Sequence, residues 1–264
     1  MRPVAIIGDI HGESTKLRAL LTRLTDKYGE CDLYGVGDFI DRGPNPKEVI
    51  QIAIDKGIQG ILGNHEIWLH KFLSTGIFGG EALHFMMGGH ATLASYGLRY
   101  KDTQIDRIRQ GLSRAIPEEH KAFILGLPLF RKVEMAGTTY WLVHGGVKRE
   151  LGEMFMEQAQ ETLANKGIDP NEFSNADLLG LIATVQPDSL LWEHFDPEEP
   201  DLYEFRNGDV QVFGHKAVVE PIDGGHFIAV DTGCGRKNAT RGRNNFLSAV
   251  VLLPEGGREF VTVE

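Results

Sequence analysis

Val4-Ala5-Ile6-Ile7-Gly8-Asp9-Ile10-His11-Gly12 is an apolar run that ends in a loop of Asp, His and glycine. The four apolar residues read as a short strand buried on both faces. The same grammar recurs. Asp32 to Val36 reads as a second strand and runs into Gly37-Asp38-Phe39-Ile40-Asp41-Arg42-Gly43. Ile58 to Leu62 reads as a third and runs into Gly63-Asn64-His65-Glu66. Between them, Ser14 is a candidate N-cap for a helix carrying Leu17, Leu20, Leu21 and Leu24, and Pro46 to Asp55 is a helix with Val49, Ile50 and Ala53 on one face. Strand, helix, strand, helix, strand predicts a parallel sheet with right-handed crossovers. Each polar loop then lies at the carboxyl end of a strand, where open α/β sheets place their sites.

Further along, Glu66 to about Leu127 turns helical and irregular, punctuated by Gly79-Gly80 and Gly88-Gly89, with another helix opening at Pro117-Glu118-Glu119. Lys132 to Met135 and Thr139 to Val143 predict a hairpin around Ala136-Gly137-Thr138, and the second arm meets His144-Gly145-Gly146. The last third reads as β-rich: Val210 to Phe213, followed by Gly214-His215, then Phe227 to Val230, Phe246 to Leu253 and Phe260 to Val263. Parallel βα units first and hairpins later predict two sheets sandwiched between helices. No linker, repeat or low-complexity segment divides residues 1–264, which read as one domain.

Composition narrows the function classes. A formal net charge of -10 argues against a general nucleic-acid-binding surface, although bound cations and an arginine can reverse the field locally for an anionic substrate. Two cysteines, Cys31 and Cys234, do not make a disulfide framework and fit a reducing, cytoplasmic setting. The first motif leaves no room for a cleaved leader ahead of it, and no apolar run nears the ~18 residues of a membrane span.

The polar loops share one chemistry. Asp9 and His11 lie two apart, so in an extended segment both point the same way and can grip one metal. Asp38 can bridge two ions with its carboxylate, Asn64 offers a carbonyl oxygen, and His144 and His215 offer ring nitrogens. This mixed oxygen and nitrogen set suits Mn²⁺, with Fe or Zn as alternatives, better than an all-oxygen magnesium cage. A lone Asp-X-His is usually only a turn; four such loops in order, each after an apolar run, are not. His70, His84, His90, His120, His194 and His226 lie outside the loops and read as surface or packing residues.

Two divalent ions about 3.5–4 Å apart lower the pKa of a bridging water and clamp a phosphoryl group. Arg42 can hold two phosphate oxygens in its planar fork. His65 is the best candidate acid for the leaving oxygen, with Asp41 to orient it, whereas Glu66 reads as a residue that begins a helix.

The segments GDIHG, GDFIDRGP, GNHE, HGG and GH resemble the calcineurin-like metallophosphoesterases, and the Arg42 and His65 motifs resemble the phosphoprotein phosphatase family within them. The resemblance implies a four-layer α/β/β/α sandwich with two mixed sheets. It implies one metal on Asp9, His11 and Asp38, a second on Asp38, Asn64, His144 and His215, phosphate on Arg42, and His65 with Asp41 as the acid pair. A second family arginine follows a Leu-Leu-Trp segment. Leu190-Leu191-Trp192 is present and Arg206 occupies that interval, with Arg149 as a rival. Residues 88–97, 116–120 and 229–234 are similar to segments of bacterial serine/threonine phosphatases and symmetrical diadenosine tetraphosphatases. The implied substrates are a phosphoserine or phosphothreonine protein or, alternatively, a dinucleoside polyphosphate, for which Arg236, Lys237, Arg241 and Arg243 are a candidate basic cluster. A catalytically inactive scaffold is the reading from another class, and intact ligands weigh against it.

Overall fold

The computed structural model describes residues 1–79, 87–98, 105–236 and 245–264. Lys237, Arg241, Arg243 and His84 lie outside these residues. The first sheet has strand order β10-β9-β1-β2-β3 and is built from β1 (Val4–Ile7), β2 (Asp32–Gly35), β3 (Gln59–Gly60), β9 (Leu247–Leu252) and β10 (Arg258–Val263). β1, β2 and β3 run parallel, and β9 returns antiparallel to β1. The second sheet has order β4-β5-β6-β8-β7, from β4 (Phe130–Met135), β5 (Thr138–Val143), β6 (Val210–Phe213), β7 (Ile222–Asp223) and β8 (Phe227–Ala229). β5, β6 and β8 are parallel; β4 and β7 are antiparallel edges. Both sheets are therefore mixed.

Alternation along the strands builds the layers. Val4 and Ile6 of β1 share a core with Tyr140 and Leu142 of β5 and with Val210 and Val212 of β6, so these faces meet sheet to sheet. Ala5 and Ile7 point the other way, to Leu17, Leu20 and Leu24 of α1 (Ser14–Tyr28) and Val49, Ile50 and Ala53 of α2 (Pro46–Lys56). On the far side, Trp141 and Val143 meet Phe155 and Met156 of α7 (Arg149–Asn165) and Leu178, Leu179 and Ile182 of α8 (Asn175–Val185). Helix, sheet, sheet, helix is the four-layer arrangement. α3 (Ile67–Thr75), α4 (Gly89–Ser95), α5 (Ile105–Ala115) and α6 (Glu118–Leu125) occupy the irregular stretch and extend the first helical layer.

Two expectations change, and a stretch without one is filled in. Ser14 does not cap α1: Glu13 stands at that position, and Ser14 is the first helical residue, its hydroxyl donating to Glu48 Oε2 at 2.7 Å. The third strand pairs only over Gln59–Gly60: Ile58 N–H closes the end of α2 on Ala53 O, and Leu62 N–H leaves β2 for Pro128 O. The stretch between His144 and Val210 is helical, since α7 and α8 carry apolar residues at helical spacing and cover the outer face of the second sheet.

Candidate metal centre and phosphate site

Because β1, β2 and β3 are parallel, their loops emerge at one end, and β5 and β6 deliver His144 and His215 to that end from the second sheet. The loops are stitched together by backbone bonds. Ile10 and His11 N–H donate to Asp38 O at 3.0 and 2.8 Å, Gly12 N–H to Phe39 O at 2.9 Å, and Gly43 N–H to His11 O at 2.9 Å. Among the described residues seven that are not glycine have positive φ, and five of them are His11, Asp38, Asp41, Arg42 and His215. Left-handed backbone costs a side-chain-bearing residue about 1–3 kcal/mol, and such strain gathers where the surroundings over-determine it. Glycines supply the close approaches: a Cβ on Gly63 would lie 2.3 Å from Asp38 Oδ1, and one on Gly214 would lie 2.1 Å from Asp9 Oδ1.

Two groups over-determine the loop after β2. Glu66 is fully buried, and its carboxylate accepts four backbone N–H groups: Asp38 at 2.8 Å, Phe39 at 2.9 Å, Ile40 at 3.1 Å and Gly63 at 3.1 Å. Burial, and then the nearby Asp38, push its carboxyl up to about 8. Thr92, on α4, accepts Asp41 N–H at 3.0 Å and donates to Asp41 Oδ1 at 2.6 Å. Gly88, just before α4, accepts Arg42 N–H at 3.2 Å. Reading Glu66 as a helix start missed the clamp, although the residue does immediately precede α3; Thr92 carried no spacing signal that tied it to the loops.

Asp9, His11, Asp38, Asn64, His144 and His215 converge. His11 Nε2 lies 3.4 Å from Asp38 Oδ2 and 4.0 Å from Asp9 Oδ2. His144 Nε2 lies 3.4 Å from Asp38 Oδ1 and 2.9 Å from Asn64 Oδ1, and His215 Nδ1 lies 3.0 Å from that same amide oxygen. The two oxygens of Asp38 thus face different histidines. His11 Nδ1 donates to Ile40 O at 3.0 Å and His144 Nδ1 to Val36 O at 2.7 Å, which turns both Nε2 lone pairs inward. Burial, then Arg42, hold His11 well below the usual imidazole range, and burial, then His144, bring His215 down to about 3. Burial alone would raise Asp38, but His144, His65, His11 and Arg42 outweigh it and hold this carboxyl below the ordinary range. Asp9 is raised by burial and by Asp231 and Asp38. Buried acceptors aimed at one another, with neutral imidazoles among them, are the donor set of divalent cations rather than of a hydrogen-bond network. The ligand atoms of Asp9, Asp38 and His144 lie within 4.8 Å of one another, as do those of His11, Asp38 and His65.

The phosphate-handling residues adjoin this set. Arg42 directs Nη1 to His11 Nε2 at 2.6 Å and Nη2 to His65 Nε2 at 2.8 Å. His65 Nδ1 meets Asp41 Oδ2 at 2.9 Å, and Trp68 Nε1 donates to the same oxygen at 3.2 Å. Arg206 is not brought here. It sits in a turn before β6, exchanging backbone bonds with the Asn175 side chain, whereas His215 follows the other end of that strand, roughly 13 Å away by strand rise. Arg149 is engaged at the surface by Asp201 at 3.0 Å. A larger cavity, about 770 Å³, lies at the amino ends of β1 and β2 beside Arg2, Cys31 and Leu33 and contains none of these residues.

The family model described as calcineurin-like phosphoesterase matches residues 2–219, which carries every one of the converging loops. The chain belongs to the calcineurin-like phosphoesterases. Its relatives in this family include a symmetrical bis(5'-nucleosyl)-tetraphosphatase of Neisseria gonorrhoeae, 38% identical over 65 residues that make up 24% of each chain. They also include serine/threonine-protein phosphatase 2 of Escherichia coli, 36% identical over 76 residues, 28% of this chain and 34% of that one. The matches span only about a quarter to a third of those relatives' length. Among solved structures, a protein proposed to be a diadenosine tetraphosphatase superposes with a TM-score of 0.55 over 99% of this chain and 93% of its own, at 19% identity, which is a likeness of fold. No helix among the described residues is long and apolar enough to cross a membrane.

Proposed function

We propose that this phosphoesterase removes phosphate from phosphoserine and phosphothreonine, in the manner of serine/threonine protein phosphatases, from a cytoplasmic location. The observation that carries the reading is the Asp41–His65 pair at 2.9 Å beside the Arg42 fork. An alkoxide leaving group needs a proton, and a buried histidine backed by a carboxylate is a group suited to deliver one. Asp9, His11 and Asp38 would hold one divalent ion, and Asp38, Asn64, His144 and His215 a second, Mn²⁺ first among the choices. When bound, such ions would activate a water and neutralise the phosphoryl oxygens.

The remaining steps belong to the chain's own residues. Arg42 now donates to His11 and His65. A phosphoryl group that draws the guanidinium onto its oxygens releases both imidazoles, and His65 Nε2 is then free to carry the leaving-group proton. Asp41 holds the opposite nitrogen of the ring and fixes its orientation. The test is His65→Ala with metal content measured alongside turnover. Turnover of a phosphoserine peptide should fall about 10²–10⁴-fold with both metals kept; loss of metal would make His65 a ligand instead of an acid.

The relatives named as symmetrical tetraphosphatases favour a second reading, cleavage of a dinucleoside polyphosphate at the same centre. Incubating the protein loaded with Mn²⁺ with the peptide and with diadenosine tetraphosphate separates the two. Faster release of inorganic phosphate from the peptide supports the first, and faster formation of two ADP supports the second.

A further inference from the structure

Arg236 lies outside the centre described above but adjoins it. It follows Gly235, whose φ of +77° and tight seat suit only glycine, since a Cβ there would lie 2.5 Å from His11 Cβ. Gly235 N–H donates to Asn245 Oδ1 at 2.9 Å, which ties the segment to the residues just before β9. Arg236 is three-quarters buried, and its Nη2 reaches Asp231 Oδ2 only at 3.9 Å. Among the described residues its buried Nε–H has no acceptor. A buried guanidinium donor left unmet is costly, and native proteins rarely leave one without an anion, a carbonyl or a water.

The place for such an acceptor is next to it. A cavity of about 320 Å³ is lined by Arg236 and Arg42 together with Glu13, Gly43, Ala91 and Asn245. Two arginines line this space, and Glu13 is the one acidic residue among its described lining. Arg42 adjoins the metal-ligand set through His11, so a group bound between the arginines would be attached to the reacting phosphoryl group and lie to one side of it.

We propose that the Arg42–Arg236 cavity is a subsite for a second anionic group of the substrate, a phosphoryl or carboxylate covalently near the phosphate being hydrolysed, and that Arg236 is its specificity-determining residue. The inference rests on the phosphoester hydrolase reading but not on which of its two substrates is right. A second phosphoryl is what a polyphosphate chain presents there; a carboxylate is what an acidic residue beside a phosphoserine presents.

The experiment compares wild type, Arg236→Ala and Arg236→Lys on three substrates: p-nitrophenyl phosphate, inorganic tripolyphosphate, and a phosphoserine peptide flanked by glutamates. The ratio of kcat/KM for an anion-bearing substrate over p-nitrophenyl phosphate should fall by about tenfold in the alanine variant, through KM, and recover in part with lysine. A fall for tripolyphosphate alone identifies the second phosphoryl, and a fall for the peptide alone identifies the carboxylate. Equal losses on all three substrates, or no loss, overturn the subsite. Calorimetric titration of tripolyphosphate into the metal-free protein reads the subsite without turnover: tenfold weaker binding in Arg236→Ala supports it and unchanged binding overturns it. A wild type inactive on all three would sink the hydrolase reading and leave the calorimetric answer standing.

Discussion

The two sheets contribute unequal halves to one centre. The first sheet delivers Asp9, His11, Asp38, Asp41, Arg42, Asn64 and His65 on three loops, the first two bound to each other by backbone hydrogen bonds and the third held to the second through the Glu66 and Asp38 carboxylates, with four left-handed residues that are not glycine. The second sheet delivers two imidazoles, His144 and His215, each directly after a parallel strand. Four of the five left-handed side-chain-bearing residues, and every carboxylate and guanidinium of the centre, are therefore on the side where Glu66 and Thr92 brace the backbone; the second sheet adds two imidazoles, of which His215 alone is left-handed. Strain is affordable where local bonds over-determine the conformation.

That asymmetry can be broken by mutation. Asp38→Ala should empty the centre of both metals and lower turnover by about 10³-fold or more, because its two oxygens face both halves; His215→Ala should lose one metal and keep the other. Elemental analysis of the two variants decides it, and Asp38→Ala with both metals retained would contradict the division. Glu66→Ala leaves four buried N–H groups without their acceptor and should destabilise the chain by about 3 kcal/mol or more in chemical denaturation, with loss of activity through the displaced Asp38. An equivalent loss from a second-sheet residue of no greater burial would remove the distinction.

Acid should expose the second sheet's share. His215 is held neutral in the fold, down to about 3 from an ordinary 6.5. The folded state binds this proton less readily than the unfolded chain. Its contribution to stability is therefore fully present above pH 6.5 and is lost as pH falls toward 3. Between pH 7 and 5 the stability gap between metal-free wild type and His215→Asn should move against wild type by about 2 kcal/mol. A gap that does not change with pH would mean that this ring is not held neutral by its burial. The smallest effect is expected at Thr92→Val, which keeps the shape and removes the hydroxyl that holds Asp41. Turnover of alkyl phosphates should drop several-fold while p-nitrophenyl phosphate, with its better leaving group, changes less, and Thr92→Ser should restore the difference.

Much of this was legible in the chain itself. Val4–Ile7, Pro46 onward and the Ala136-Gly137 hairpin declare themselves through period and turn chemistry. The motif loops declare their chemistry because Asp, His, Asn and glycine at strand ends have few other uses. Arg206 shows the limit. It lies nine residues before His215 in the chain, yet a parallel strand between them carries the two to opposite ends of the sheet.

By itself the sequence determined the βα alternation, the six converging candidate ligands and the family, since these depend on local period and on residue types with narrow chemistry. Only the tertiary structure decided that Glu66 gathers four N–H groups, that Thr92 holds Asp41 across 51 positions, that Arg206 stands apart, and that Arg236 shares a cavity with Arg42. The physical reason is distance along the chain. Hydrogen bonds and ionic contacts act over a few ångströms in space, and neither periodicity nor spacing in a sequence says which distant loops packing will bring that close.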